Sequence, residues 1–348
     1  MTALPEAASP SDPKEVIDAL SQRVKRLHRG ILDKGVLRGL MPGRLRAMHR
    51  AGSDPETEAR ERRFSELSPS YATHVTDGRT SVADTRVVEI DSLTWWVPLP
   101  APDDPVLVER ALNQQNFPYR VITQTREAAI GGAMIDIGAN TGRMSIPRVV
   151  LGDVTVAYCA EPDPLNYLCL VRNIRDNRLR GFVLPDQLAI GSQDGTLRLR
   201  RSRSAGGHRV VDAAGALPRD VIEVRSLRLD TWVDRIGIDL NRVRFVKVDV
   251  QGSEVDVLRG APRVLAHKHI AWQIEIDLDL LAKRGLRGDD LYGLMEQHFT
   301  HFEDLNRHLT GPRVQPVTEL RQALAHVSGG SGGRTDVLLF TLESTSGD

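Results

Sequence analysis

The residues best placed to do chemistry lie in A-M-I-D-I-G-A-N-T-G, Ala133 to Gly142, and at Glu161, the acid that ends the next apolar run. The first segment is a short apolar strand carrying Asp136, followed by a turn with glycines at Gly138 and Gly142. The second apolar run, V-T-V-A-Y-C-A, spans Val154 to Ala160. A glycine turn after one strand and an acid after the next is how an open α/β sheet holds a nucleoside. The glycines let backbone approach a ligand without a Cβ in the way. The acid accepts hydrogen bonds from a ribose diol.

A dinucleotide site wants G-x-G-x-x-G, so that a pyrophosphate can rest on the helix N-terminus. Here Asn140 stands where a second glycine would open that space. No G-x-x-x-x-G-K-[ST] phosphate loop occurs, which argues against a nucleoside triphosphate. A ligand with ribose and no phosphate fits the turn better, and S-adenosyl-L-methionine is the common one. A strand-turn-helix without a ligand is the bland reading, and Asp136, Gly138, Gly142 and Glu161 together weigh against it.

A second chemistry-bearing element is F-V-K-V-D-V-Q-G-S-E, Phe245 to Glu254. It is a mostly apolar strand with Asp249 near its carboxyl end. Ligands of open α/β sheets bind outside the carboxyl ends of the strands, where the strand order reverses. Asp249 therefore points to the same crevice as Gly138 and Glu161. Gly252 permits a tight passage from strand to helix. Glu254 falls in the first helical turn, where the dipole favours an anion, and reads as a structural acid ahead of a catalytic one.

The rest of the chain must position these groups. From Ala133 onward, strands and helices alternate, which signals a parallel sheet with crossover helices. The expected strands are Ala133–Ile137, Val154–Ala160, Phe182–Ile190, Val243–Val250 and His269–Ile276. The expected helices are Pro164–Asn177, Ser253–Leu265 and Asp289–His298. F-T-H-F-E-D-L and T-D-V-L-L-F-T-L read as closing strands, the last preceded by a flexible Gly329–Gly333 connection. Residues 1–12 read as a disordered tail and residues 13–100 as a helical extension ending in a β-hairpin, Val87–Ile90 with Leu93–Val97. Residues 101–348 remain for the main domain.

Composition narrows the class. Lys+Arg and Asp+Glu are both 46, so net charge gives no general case for nucleic acid or membrane binding. No apolar run approaches the ~20 residues of a membrane helix, and no secretory leader is evident, so a cytoplasmic protein is expected. Cys159 and Cys169 lack metal-ligand spacing and read as a reduced, buried pair.

M-I-D-I-G-A-N-T-G, A-E-P-D-P-L-N and F-V-K-V-D-V-Q-G-S-E-V-D-V-L-R-G-A, in this order and spacing, resemble the FkbM-type S-adenosylmethionine-dependent methyltransferases. L-A-I-G-S-Q-D-G and L-R-L-D-T-W-V add to the resemblance, which covers roughly residues 130–278. It implies a Rossmann-like seven-stranded sheet, parallel except for one antiparallel strand, flanked by helices. It also implies an O-methyltransferase acting on hydroxyls of sugars, glycans or secondary metabolites. Carried over by position, Asp136, Gly138, Asn140 and Gly142 would line the methionine part of the cofactor. Glu161 would hold the ribose, with Pro162 and Asp163 beside the adenine and Gln187, Leu188 and Ala189 near its ring. Asp249, Gln251 and Gly252 would face the sulfonium and the acceptor. Gln251 replaces the Glu of many relatives and removes a carboxylate there.

A hydroxyl acceptor benefits from a general base within hydrogen-bond reach. Asp249 is the first candidate, Glu275 the second and the loop residue His208 the third. Asp249 and Glu275 alone make a thin oxygen set, and no metal is expected. The basic run R-L-R-R-S-R-S-A-G-G-H-R, Arg198 to Arg209, reads as a lid or a plain solvated loop. As a lid it could bind an acidic acceptor through Arg201, Arg203 and Arg209. Other readings stay open: an RNA methyltransferase using the basic N-terminal helices, an NAD-dependent oxidoreductase, a non-catalytic binding module, and N-methylation. Low aromatic content, 5%, and zero net charge argue against RNA. The acceptor itself and a homo-oligomer through the N-terminal helices are left undecided by the pattern.

Overall fold

The computed structural model describes residues 34–50, 54–68, 82–113, 116–211, 218–306, 313–328 and 333–342. The expected tail at 1–12, the start of the first helix and most of the Gly329–Gly333 connection lie outside them.

Two helices lead, α1 (Lys34–Arg50) and α2 (Pro55–Leu67). Asp54 caps α2 by accepting the Thr57 N–H at 2.8 Å, with Pro55 at the first position where no N–H is needed. The hairpin β1 (Thr85–Ile90) and β2 (Leu93–Pro98) follows, then α3 (Pro105–Asn113). The main domain runs through β3 (Gly132–Ile137), α4 (Ser145–Leu151), β4 (Val154–Ala160), α5 (Pro164–Asp176), β5 (Val183–Asp186), β6 (Ala189–Gly191), β7 (Gly195–Arg200), β8 (Arg209–Val210) and β9 (Val221–Arg228). It continues with α6 (Leu229–Ile236), β10 (Val243–Val248), α7 (Glu254–Arg259), α8 (Pro262–Ala266), β11 (Ala271–Asp277), α9 (Leu278–Ala282) and α10 (Gly288–His298). It closes with β12 (His301–Asp304), β13 (Val314–Pro316) and β14 (Arg334–Phe340).

The large sheet has the order β13-β12-β14-β11-β10-β3-β4-β5. β5, β4, β3, β10 and β11 are parallel, and β14 lies antiparallel between β11 and β12. These seven strands, with one reversed, are the expected Rossmann-like architecture. β13 adds an eighth at the edge, antiparallel to β12, that the sequence did not announce. The order reverses between β3 and β10, so the crevice opens there.

Three boundaries differ from the sequence reading. The third strand is broken: β5 pairs with β4, while β6 leaves for a second sheet of order β6-β9-β7-β8. The expected helix from Ser253 divides into α7 and α8 around Gly260, where a Cβ would sit 2.1 Å from the Gly191 carbonyl. The segment L-R-L-R, Leu197 to Arg200, was read for its charge as part of the basic run from Arg198. Its alternation of Leu197 and Leu199 with arginines makes strand β7, with Leu199 buried.

One hydrophobic cluster takes in Met41 of α1, Trp95 of β2 and Leu339 of β14, so the N-terminal elements share the core of the main sheet. The hairpin is fixed to α5 by two side-chain amides. Asn173 Oδ1 accepts the Trp96 N–H at 2.6 Å, and Asn177 Oδ1 accepts the Thr94 N–H at 3.0 Å. Asn177 Nδ2 donates to the Thr94 carbonyl at 2.7 Å. These amides supply β2 with the hydrogen bonds a third strand would otherwise provide.

Candidate active site

The parallel register places a polar row across one face of the sheet at its carboxyl end. Lys247 of β10 stands opposite Asp136 of β3 and Gln273 of β11, and Glu275 stands opposite Asp336 of β14. Alternation brings Asp249 to the same face as Lys247. Lys247 Nζ lies 3.4 Å from Asp136 Oδ1, 3.4 Å from Asp249 Oδ2 and 3.2 Å from the Gly138 carbonyl. The sequence reading passed over this lysine, although a lone Lys in an apolar central strand was the signal. Its ammonium is held firmly charged because the Asp249 and Asp136 carboxylates outweigh the cost of burial. Burial pushes Asp136 up despite Lys247. Asp249 moves the other way, because Lys247 and a hydrogen bond from Gln251 overcome burial.

Gln251 Nε2 donates to Asp249 Oδ1 at 2.9 Å and to Glu275 Oε2 at 2.7 Å. One amide nitrogen therefore occupies the space between the two carboxylates. Gln251 adopts φ +54°, a left-handed conformation uncommon for this residue type. Burial first, and the charge of Asp249 second, push Glu275 up to about 9. The Arg334 guanidinium, 3.2 Å from Glu275 Oε1, opposes this, but it is largely solvated and does not prevail. Near neutral pH, Asp249 is the ionised member of the pair and Glu275 holds a proton.

The second half of the site is built on the turn after β3. Asn140, at φ +53°, donates its N–H to Glu161 Oε2 at 2.8 Å. Glu161 Oε1 accepts the Asp163 N–H at 3.0 Å. Burial and the neighbouring Asp163 push Glu161 up to about 8. The carboxyl group sits 5% exposed in the lining of a cleft at the carboxyl end of the sheet.

That cleft brings together Gly138, Asn140, Glu161, Pro162, Leu188, Ala189, His208, Asp249 and Gln251 of the expected residues. Leu199 of β7 and Val210 of β8 add an apolar wall from the second sheet, which sequence reasoning did not foresee. Asn166 and His208 line the cleft, and their Oδ1 and Nε2 atoms are buried without a hydrogen bond.

Asp136, Gly142, Asp163, Gln187, Gly252 and Glu275 are not among the lining residues. Asp136 is fully buried beneath the turn as the partner of Lys247, not a wall of the cleft. Asp163 is the N-cap of α5, accepting the Leu165 and Asn166 N–H groups at 3.0 Å, and also receives Arg201 Nε at 2.8 Å. The glycines also carry a packing role. A Cβ on Gly138 would lie 1.9 Å from the Asp249 carbonyl, on Gly142 2.8 Å from Ile146 and Leu170, and on Gly252 2.8 Å from the Leu280 carbonyl. These positions are glycine because protein packs against them. His208 Nδ1 accepts the Ser202 N–H at 2.9 Å, so the neutral ring carries its proton on Nε2, 3.7 Å from Asp163. That ring has no lone pair left to serve as a base. Glu254 closes the strand-to-helix turn by accepting the Gly252 and Val250 N–H groups at 3.1 and 3.3 Å.

The lid segment closes over the cleft. Asn140 Nδ2 and Asn166 Nδ2 donate to the Ala205 carbonyl at 3.0 and 2.9 Å. Among the described residues no group of three or more His, Cys, Asp or Glu is arranged to hold a metal, and no helix is long and apolar enough to cross a membrane. Cys159 and Cys169 are unpaired and buried.

A mainly parallel sheet flanked by helices places the chain in the α/β class. Within that class the chain belongs to the FkbM family: the methyltransferase FkbM domain model matches residues 136–310, half of the chain. Among solved structures, methyltransferase FkbM from Methylobacillus flagellatus KT matches with 17% identity and a TM-score of 0.36, over 68% of this chain and 55% of that one. This chain thus spans about half the length of that relative. The B. subtilis M1A22 tRNA methyltransferase TrmK matches at 8% identity and a TM-score of 0.35, over 64% and 65% of the two chains. P. horikoshii TYW2 in complex with MeSAdo matches at 13% identity and a TM-score of 0.33, over 76% and 74%. No curated protein matches the chain.

Proposed function

We propose that the protein is an S-adenosylmethionine-dependent O-methyltransferase of cytoplasmic type, acting on a hydroxyl of a sugar, glycan or secondary metabolite. The observation that carries this reading is the buried Glu161 in the lining of the cleft. It lies under the Asn140 turn, and the Asp249–Gln251 pair closes the opposite end. Residues 101–348 form the catalytic unit in this reading, and residues 13–100 a helical N-terminal extension with a β-hairpin.

The cofactor would supply a methyl group on a sulfonium; the acceptor oxygen forms a bond to that carbon, the carbon–sulfur bond breaks onto a neutral thioether, and the hydroxyl proton is released. Glu161 would take the ribose hydroxyls, with the apolar Leu188, Leu199 and Val210 against the base. Lys247 keeps Asp249 ionised, so Asp249 orients an acceptor hydroxyl by accepting its hydrogen bond. Its depressed pKa makes it a weak base, and orientation is its larger contribution. Glu275, holding its own proton, keeps a second negative charge out of the site. The lid carbonyl of Ala205, held by Asn140 and Asn166, limits entry of water.

Calorimetric titration with S-adenosylhomocysteine on the native chain and on Glu161→Gln tests the reading. Micromolar binding is expected above pH 8, where Glu161 is ionised, weakened about tenfold or more in the variant by loss of charge-assisted hydrogen bonds. Absence of binding to the folded native chain would sink it. Binding of NAD instead, or salt-dependent retention of RNA, would favour the rival readings.

A further inference from the structure

We propose that a second cavity beside the cleft is a binding site for small hydroxylated molecules that carry an oxyanion: a carboxylate, phosphate or sulfate. As the acceptor site it rests on the methyltransferase reading; as an anion site it stands on the geometry alone.

The cavity, of about 1170 Å³ with its open mouth, shares Asn140, Ala205 and Gly206 with the cofactor cleft. Molecules held in the two spaces would therefore be separated only by the Asn140 turn and the lid. Four separate elements each turn an arginine to this cavity: Arg110 of α3, Arg143 after the β3 turn, Arg203 of the lid and Arg334 at the start of β14. No Asp or Glu among the described residues lines it. In a chain with 46 basic and 46 acidic residues, four converging guanidinium groups without a lining acid are a specific arrangement. Guanidinium groups outnumber the carboxylates that tether them here, so the field in the cavity favours an anion.

Three of the four are oriented from behind, Arg143 by donating from Nη2 to the Asn116 carbonyl. Arg203 Nη2 lies 3.0 Å from Asp104, and Arg334 Nε lies 3.2 Å from Glu275. Neither carboxylate lines the cavity. Each tether engages one nitrogen of a planar fork with five N–H donors, so a fork edge remains for a bidentate oxyanion. The Glu275 tether links Arg334 to Gln251 and Asp249, so an anion bound there sits next to the groups that orient an acceptor hydroxyl. Leu99 and Leu107 add apolar lining that suits the carbon body of a small molecule. Arg201, which sequence placed in the same role, is instead turned to Asp163.

The test is calorimetric titration of the full chain with glucose 6-phosphate, glucuronate and glucose, each with and without S-adenosylhomocysteine. Arg110→Glu and Arg203→Ala are titrated alongside; both residues are exposed, so the fold is expected to persist. The two anionic sugars should bind at least about tenfold more tightly than glucose, and each variant should reduce anion affinity by about tenfold or more. S-adenosylhomocysteine affinity should stay the same in both variants. Equal affinity for glucose and glucose 6-phosphate, or unchanged anion affinity in both variants, would overturn the proposal. So would retention of an RNA oligonucleotide that the sugars do not displace. A native chain that binds the anionic sugars but not S-adenosylhomocysteine would keep this site and remove the cofactor reading.

Discussion

Replacing Lys247 by Met takes away the one ammonium that lies 3.4 Å from both Asp136 and Asp249. Removing one member of a buried ion pair costs about 3–5 kcal/mol, because the remaining charge is left without a partner. Asp249 is about one-third exposed and recovers some hydration, whereas Asp136 is fully enclosed and sets most of the penalty. A loss of about 3 kcal/mol at pH 8 follows. Urea denaturation read by tryptophan fluorescence measures it, since Trp95, Trp232 and Trp272 are fully buried reporters. The pH dependence is the sharper signature. Burial already raises Asp136 above its unfolded value, and without Lys247 it rises further. The folded variant then binds a proton that the unfolded chain does not. Its stability is full below the unfolded pKa and falls as pH rises through the folded one, by at most about 1.4 kcal/mol per pH unit. The penalty should be smallest near pH 5 and grow toward pH 8. Asp136→Asn in the same chain should restore about 2 kcal/mol, because no stranded charge remains there. A penalty below about 1 kcal/mol at pH 8, or one equal at pH 5 and pH 8, would refute the reasoning.

Gly138→Ala should destabilise by about 3 kcal/mol or more, or abolish soluble expression, because the new Cβ meets the Asp249 carbonyl at 1.9 Å with φ at +75°. Gly293→Ala, in α10 with nothing within 4 Å, should instead gain about 0.4–1 kcal/mol in the same denaturation assay. Asn177→Ala should cost about 1–3 kcal/mol by stripping the Thr94 N–H and carbonyl of their partners. Faster amide exchange confined to β2, with the main sheet still protected, would show the hairpin loosening from α5; unchanged exchange at Thr94 would count against the docking role.

Local sequence was sufficient wherever one strand and its turn carry the information. The carboxyl-end placement of Asp249 and Glu161 and the strand-turn-helix after β3 follow from apolar runs that stop at glycine or acid, while the seven strands with one reversed were implied by the family resemblance. The motif spacing likewise carried the family resemblance, and the family model match agrees with it. The pairing of β3 with β10 was not legible, because its register is a contact between segments more than a hundred residues apart. Only the β3–β10 register brings Lys247 onto Asp136, and only that pairing decides that Asp249 stays ionised while Glu275 keeps its proton. The glycines were recognised as necessary, but not for their packing role: the chain packs against their missing side chains, which a sequence cannot show. The arginines of the second cavity come from α3, the β3 turn, the lid and β14, four places with no common motif. Their convergence is a property of the tertiary structure, fixed by the docking of the hairpin on α5 and the closing of the lid over the cleft.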